Sequence, residues 1–202
     1  MRTSDVPRRR RGLALLLALG FVLPLLASCG VNNIPNYREQ AKATWAEVLN
    51  QYQRRADLVP NLVATVKGAA NFESQTLEAV VQARAKVGQM QLPPDILNNP
   101  QALQTFEQNQ AGLTSALSRL LVVSEQYPEL KANANFQTLQ AQLEGTENRI
   151  TVERQRFNQA IQEYNTRIRT VPASIIASFG GFREKQYFKS KEGAENVPAV
   201  KF

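Results

Sequence analysis

NFQTLQAQLEGTENRITVERQRFNQAIQEYNTRI, residues 135–168, sets Phe136, Leu143, Ile150, Phe157 and Tyr164 at intervals of seven, with Leu139, Ala160, Ile161 and Ile168 beside them. A repeat of seven keeps one stripe of a helix against its partners, so this stretch reads as one long helix on a bundle seam. At about 1.5 Å per residue it extends roughly 50 Å, which predicts a rod rather than a sphere.

Working outward, Asn99 at a cap and Pro100 at the first helical position open a preceding helix. Leu103, Phe106, Leu113, Leu117, Leu120 and Leu121 give it a core stripe up to Tyr127, and Pro128 ends it. Residues 89–98, with Pro93 and Pro94 together, predict an exposed connection. Earlier still, Asn36 and Glu39 form a candidate capping box, followed by Tyr37, Ala41, Trp45, Val48, Tyr52 and Ala56 on one face. Asp57 then predicts a new cap with Pro60 in the first turn, opening a helix that buries Leu62, Val66, Ala69, Leu77, Val80 and Val87 and runs to about Gly88. Downstream, Pro172 opens a short helix through Ile175 and Ile176 that Gly180 and Gly181 stop. Gly112 and Gly145, inside helical stretches, suggest close helix approach. The strict alternation that marks strands is absent. The expectation is an all-α fold: an elongated antiparallel four-helix bundle over residues 36–180, with a short extra C-terminal helix and an extended tail over 181–202.

The amino-terminal segment predicts an address. Arg8 to Arg11 precede an apolar run from Leu13 to Ala27 that Gly20 and Pro24 interrupt. Those 15 residues fall short of the roughly 20 that a spanning helix needs. A positive start, a short apolar core and small residues before a cut describe a secretory signal. Leu26, Ala27 and Ser28 ahead of Cys29 make it a bacterial lipoprotein signal peptide over residues 1–28. Cys29 is then the lipidation site and residues 29–35 a linker. Several acyl chains on one residue hold firmly where one holds marginally. The alternative is an uncleaved single-pass anchor with Cys29 unmodified. In a cell with two membranes, Gly30 after Cys29 favours outer-membrane sorting, with the body facing the periplasm.

Of the formal net charge of +7, residues 1–28 carry +4 (five arginines against Asp5), leaving +3 for the remainder. So mild an excess lacks the footprint of a nucleic-acid binder. The chain has no histidine, which removes imidazole zinc sites, Ser-His-Asp triads and imidazole proton transfer. Cys29 is the only cysteine, so no intramolecular disulfide forms. No glycine-rich phosphate loop is present, and no cofactor, metal or catalytic residue is expected.

Beside the seam of the long helix lie Glu144, Glu147, Asn148, Arg149, Arg154 and Asn158. Glu147 and Arg154, seven apart, predict a partly buried charge network reached by Arg54, Arg55 or Lys67. Such a network either fixes bundle register or, in a cofactor-free hydrolase, supplies a carboxylate. Phe182, Tyr187 and Phe188 alternate with Arg183, Lys185, Lys189 and Lys191. This tail either docks on a partner or lipid interface, or folds back over the bundle's end.

Asp57 to Val63, Arg119 to Val123, Tyr127 to Asn133 and Leu143 to Ile150, with Tyr164–Asn165, Gly181–Phe182 and Tyr187–Phe188, together resemble the LemA family of bacterial envelope proteins. The resemblance implies a four-helix bundle anchored to a membrane and brings no catalytic residues with it. The chain departs from it in carrying a lipidation box in place of a plain anchoring helix, in Arg38 after Tyr37, and in Phe157 where Tyr is common. The expected function is a lipid-anchored, non-enzymatic scaffold or adaptor whose partners are the membrane and other envelope proteins, not nucleic acid. The alternatives are a membrane-shaping single-pass protein and the hydrolase above.

Overall fold

The computed structural model describes residues 33–69 and 72–189. The predicted signal peptide over residues 1–28, Cys29 as its predicted lipidation site, and the chain beyond Lys189 lie outside the described residues. In chain order the elements are α1 (Asn33–Lys67), α2 (Ser74–Gly88), a 3-10 turn at Ile96–Asn98, α3 (Pro100–Ser124), α4 (Pro128–Lys131), α5 (Ala134–Arg169) and α6 (Ala173–Phe179). No strand occurs among the described residues. The long helices α1, α2, α3 and α5 run up, down, up and down, so the expected antiparallel bundle is what forms.

The heptad residues of α5 are all buried, from Phe136 (1% exposed) to Tyr164 (2%). Asn133 caps α5, its Oδ1 accepting from the amides of Asn135 (2.9 Å) and Phe136 (3.2 Å). Arg167 and Arg169 occupy the last turn, where cations suit the carbonyl end. Asn99 caps α3 in the same way, accepting from Ala102 N at 3.1 Å with Pro100 directly behind it.

The first half of the bundle differs from the expected division at Asp57. α1 runs unbroken for 35 residues through Pro60 to Lys67, and α2 begins only at Ser74. A proline inside a helix leaves the carbonyl four residues back without its donor. Here that carbonyl, Ala56 O, accepts from Arg84 Nε of α2 at 3.1 Å, so the neighbouring helix supplies the missing bond. The start is also earlier than Asn36. Ile34 is 1% exposed and anchors the first turn, and Glu39 bonds Lys42 rather than closing a capping box.

Three apolar layers stack along the rod. At one end Val59, Leu62, Val66, Leu77, Val80, Leu113, Leu120 and Phe136 bring all four long helices together. The middle layer gathers Trp45, Tyr52, Phe106, Phe157 and Phe188. At the other end Ile34 meets Tyr164, Ile168, Ala173 and Ala177. Because α2 stops at Gly88, the middle layer lacks a fourth helix, and residues 89–98 together with the returning tail close the gap. The connection is therefore not wholly exposed: Ile96 and Leu97 are buried against the Trp45 layer.

Gly181, at φ 67°, ends α6 in the left-handed region, and Phe182 N bonds back to Ala177 O at 3.0 Å. Gly112 and Gly145, by contrast, are not sites of close approach, since a methyl group at either would meet no heavy atom within 4 Å. Gly112→Ala and Gly145→Ala are therefore each expected to stabilise the protein by roughly 0.5–1 kcal/mol through helix propensity. Paired thermal melts check this, and a lowered midpoint in either variant would contradict it.

Candidate functional site

Between the end layer of Val59 and the middle layer of Trp45 lies a polar stratum built on Arg55. The guanidinium is 1% exposed, an extreme for a permanently charged group. Nη1 donates to Thr114 Oγ1 and Glu147 Oε1, both at 2.6 Å, while Nη2 donates to Gln110 Oε1 at 2.6 Å and Gln110 O at 3.1 Å. Four donor bonds thus tie α1 to α3 and α5 at one height. The Tyr52 ring lies 5.2 Å from the guanidinium carbon, one helical turn away, and burial pushes its phenol above the ordinary value. The buried Nε has no partner.

Two open grooves flank this stratum. One, of about 370 Å³, runs between α3 and α5 past Thr114, Ser118, Leu121, Leu143, Glu144 and Glu147. The other, of about 650 Å³, lies between α1, α2 and α3 and reaches Tyr52, Arg84 and Gln110. Glu147 thus faces the first groove, but one of its carboxylate oxygens is held by Arg55, the arrangement of a structural ion pair. Among the described residues no group of three metal-ligating side chains comes together.

The predicted network divides in two. Of the three cations considered for Glu147, Arg55 is the one that reaches it, and Arg154 belongs to a separate cluster 7 residues along α5. Arg154 Nη2 donates at 3.0 Å to both Glu107 Oε1 and Lys189 O, and its guanidinium lies 4.5 Å from the Phe188 ring centre. Burial raises the Glu107 carboxyl above its ordinary range, opposed by Arg154 and by the Lys189 amide. Glu144 accepts from Gln140, and Arg149 is exposed. Glu125, just beyond the end of α3 at Ser124, pairs with Lys131.

This second cluster secures the described part of the tail, residues 182–189, which folds back. Residues 182–189 run extended and antiparallel to α5. Asn165 Nδ2 donates to Lys185 O and its Oδ1 accepts from Lys185 N, both at 2.9 Å. Asn158 repeats the pattern on Phe188, at 3.0 and 2.9 Å. The match is one of pitch: seven residues of helix rise about 10.5 Å, and three of extended chain span about 10 Å. Tyr164 Oη adds a bond to Arg183 O at 3.1 Å, and Gln186 N bonds Leu97 O at 2.9 Å. Gln110 and Thr114 were not singled out by sequence reasoning, and Asn165 entered it only through the family resemblance. The signal for Gln110 was its place in the run Leu103, Phe106, Gln110, Leu113, Leu117, where it interrupts an otherwise apolar stripe.

The LemA family model matches residues 44–202, which includes both clusters. The chain belongs to the LemA family. Tyr164–Asn165, Gly181–Phe182 and Tyr187–Phe188, which carried the resemblance in sequence, meet in this LemA bundle at the tail clamp and its approach. The chain is also similar to Magnetosome protein MamQ 2 and MamQ 1 of Paramagnetospirillum magneticum (strain ATCC 700264 / AMB-1), at 32% identity over 84 residues. Magnetosome protein MamQ of Magnetospirillum gryphiswaldense (strain DSM 6361 / JCM 21280 / NBRC 15271 / MSR-1) matches at 31% over 84 residues. Each alignment covers 42% of this chain and 31% of the relative, so the chain spans about a third of the length of these curated relatives.

Proposed function

We propose that this LemA-family chain is a lipid-anchored, non-enzymatic scaffold at the bacterial envelope, presenting a rigid helical rod to other envelope proteins. The observation that carries the reading is the Arg55 stratum, in which this chain's own side chains and backbone take every bond the two Nη atoms make. Buried polar groups bonded across helices in this way specify alignment. A hydrolase built on Glu147 would need that carboxylate released from Arg55.

The membrane half of the reading rests on the lipoprotein-type segment ending at Cys29 and on similarity to magnetosome proteins. Among the described residues no helix is long and apolar enough to cross a membrane. The anchor in this proposal is the acylated Cys29. In a two-membrane cell, the proposed place is the outer membrane, facing the periplasm.

Mass spectrometry of the membrane-extracted protein tests the anchor. The expected mature amino terminus is Cys29 carrying acyl groups on sulfur and nitrogen, and Cys29→Ala is expected to abolish that species. A native protein beginning at Met1 with an unmodified Cys29 would overturn the lipoprotein assignment.

A further inference from the structure

Helix α6 is built inside out. Its small residues Ala173 and Ala177 face the bundle at 1% and 3% exposure, while Ile175 (55%) and Phe179 (90%) point away, joined by Val171 (77%) on the turn before. A soluble bundle end would place charge there. Instead residues 170–182 contain no charged side chain, and arginines bracket them at 167, 169 and 183. A short helix apolar on both faces needs cover on both, and contiguous exposed apolar residues mark contact sites.

What covers the outer face follows from which end of the rod it occupies. Ile34, in the first turn of α1, packs on Ala173 and Ala177, so α6 and the start of α1 form one end. Three residues separate Cys29 from Asn33, and the four peptide steps reach at most about 14 Å. Any membrane attachment that precedes α1, acylated or spanning, therefore holds this end at the lipid. The polar surroundings agree. Arg38 and Arg183 are exposed at this end, while Glu39 and Glu184 are engaged by Lys42 and Arg169.

We propose that Val171, Ile175 and Phe179 insert into the headgroup–acyl boundary of the bilayer, giving the rod a second foot beside its anchor and standing it along the membrane normal. The occupant is a lipid surface, and its anionic headgroups meet Arg38 and Arg183. The inference builds on the membrane anchoring proposed above but does not depend on whether that anchor is acyl chains or an uncleaved helix.

The test is electron paramagnetic resonance on the full chain, reconstituted in vesicles of phosphatidylethanolamine and phosphatidylglycerol. A spin label is placed at Phe179→Cys and, at the far end of the bundle, at Val122→Cys. The ratio of collisions with oxygen to collisions with a water-soluble nickel chelate is expected to be several-fold higher at position 179 than at 122. The unsubstituted protein, treated with the same reagent, reports separately on Cys29: no label there means the sulfur is blocked. Equal ratios at 179 and 122 with Cys29 blocked would overturn the insertion and leave the anchor standing. A labelled Cys29 with a high ratio at 179 would uphold the insertion and remove the acyl anchor. Spin–spin broadening at 179 without a raised ratio would assign the face to a second copy of the chain and overturn the proposal.

Discussion

Arg55→Met is expected to lower the free energy of unfolding by about 3–5 kcal/mol, because removing one member of a buried charged network strands the others. Methionine fills much of the volume, so the loss is one of bonding rather than of packing. Gln110 Oε1 loses its donor in the interior and Thr114 Oγ1 at the groove edge, while Glu147, 37% exposed, turns part of its unpaired carboxylate to water and keeps the cost toward the lower end. Combining Arg55→Met with Gln110→Leu and Glu147→Leu should restore stability to within about 1 kcal/mol of the parent, since a well-packed apolar layer commonly equals a buried ion network. Urea titrations of the single and triple variants measure both effects. A loss below about 1 kcal/mol in Arg55→Met would show that the stratum does not hold the bundle together. The triple variant also tests purpose. If the stratum sets register, amide spectra of the triple variant should show more than one helix alignment despite its recovered stability.

The position of that stratum was present in the sequence in a form that the proline disguised. Ala41, Trp45, Val48, Tyr52, Arg55, Val59, Leu62 and Val66 follow one another at fours and threes without a break, and all eight are buried. An uninterrupted seam means one helix, and it places Arg55 on the seam itself. Reading Asp57 as a cap with Pro60 in the first turn cut the stripe in two and left Arg55 off the seam, as one of three candidate cations for Glu147. What decides between the two readings is a third-party contact, Arg84 Nε on Ala56 O, and nothing local to residues 56–60 announces it. The α5 heptads, the Asn99–Pro100 and Gly180–Gly181 signals and the overall bundle were legible because each rests on periodicity or backbone restriction within a few residues. The division of polar residues into an Arg55 cluster and an Arg154 cluster was not, because partners 59 and 92 residues from Arg55, on two other helices, determine it. The same holds for the tail. Its aromatic and basic alternation permitted either docking or folding back, and the choice is made by Asn158 and Asn165, which lie on a different element at a spacing that matches extended chain.

Phe188→Ala is expected to cost about 3–5 kcal/mol of local stability, the ordinary effect of emptying a buried aromatic position. Phe188 is 5% exposed and its ring lies 5.2 Å from Phe157 and 5.7 Å from Trp45, with the Arg154 guanidinium on its remaining face. Aromatic contacts of this kind contribute about 0.5–1.5 kcal/mol each beyond area burial. How the cost is expressed depends on the bonding around it. The tail is a terminal segment held by its own set of bonds, so it releases before the bundle unfolds, and the measured global stability falls by less than the local term. Release would uncover Trp45 and strip the Asn158 and Asn165 amides of their backbone partners, which is why the tail behaves as the fourth wall of the middle layer rather than as an appendage. Trypsin should therefore cut after Lys185 and Lys189 at least tenfold faster in the variant, as expected for a loss of roughly 1.4 kcal/mol or more in tail closure when opening is rapid. Trp45 fluorescence should shift to longer wavelength in parallel. Asn158→Leu, which keeps Phe188 but removes both bonds to its backbone, should move the same two readouts in the same direction by a smaller amount. Unchanged cleavage in Phe188→Ala would mean that the ring contributes nothing to tail closure, and the wall would have to be assigned to residues 89–98 alone.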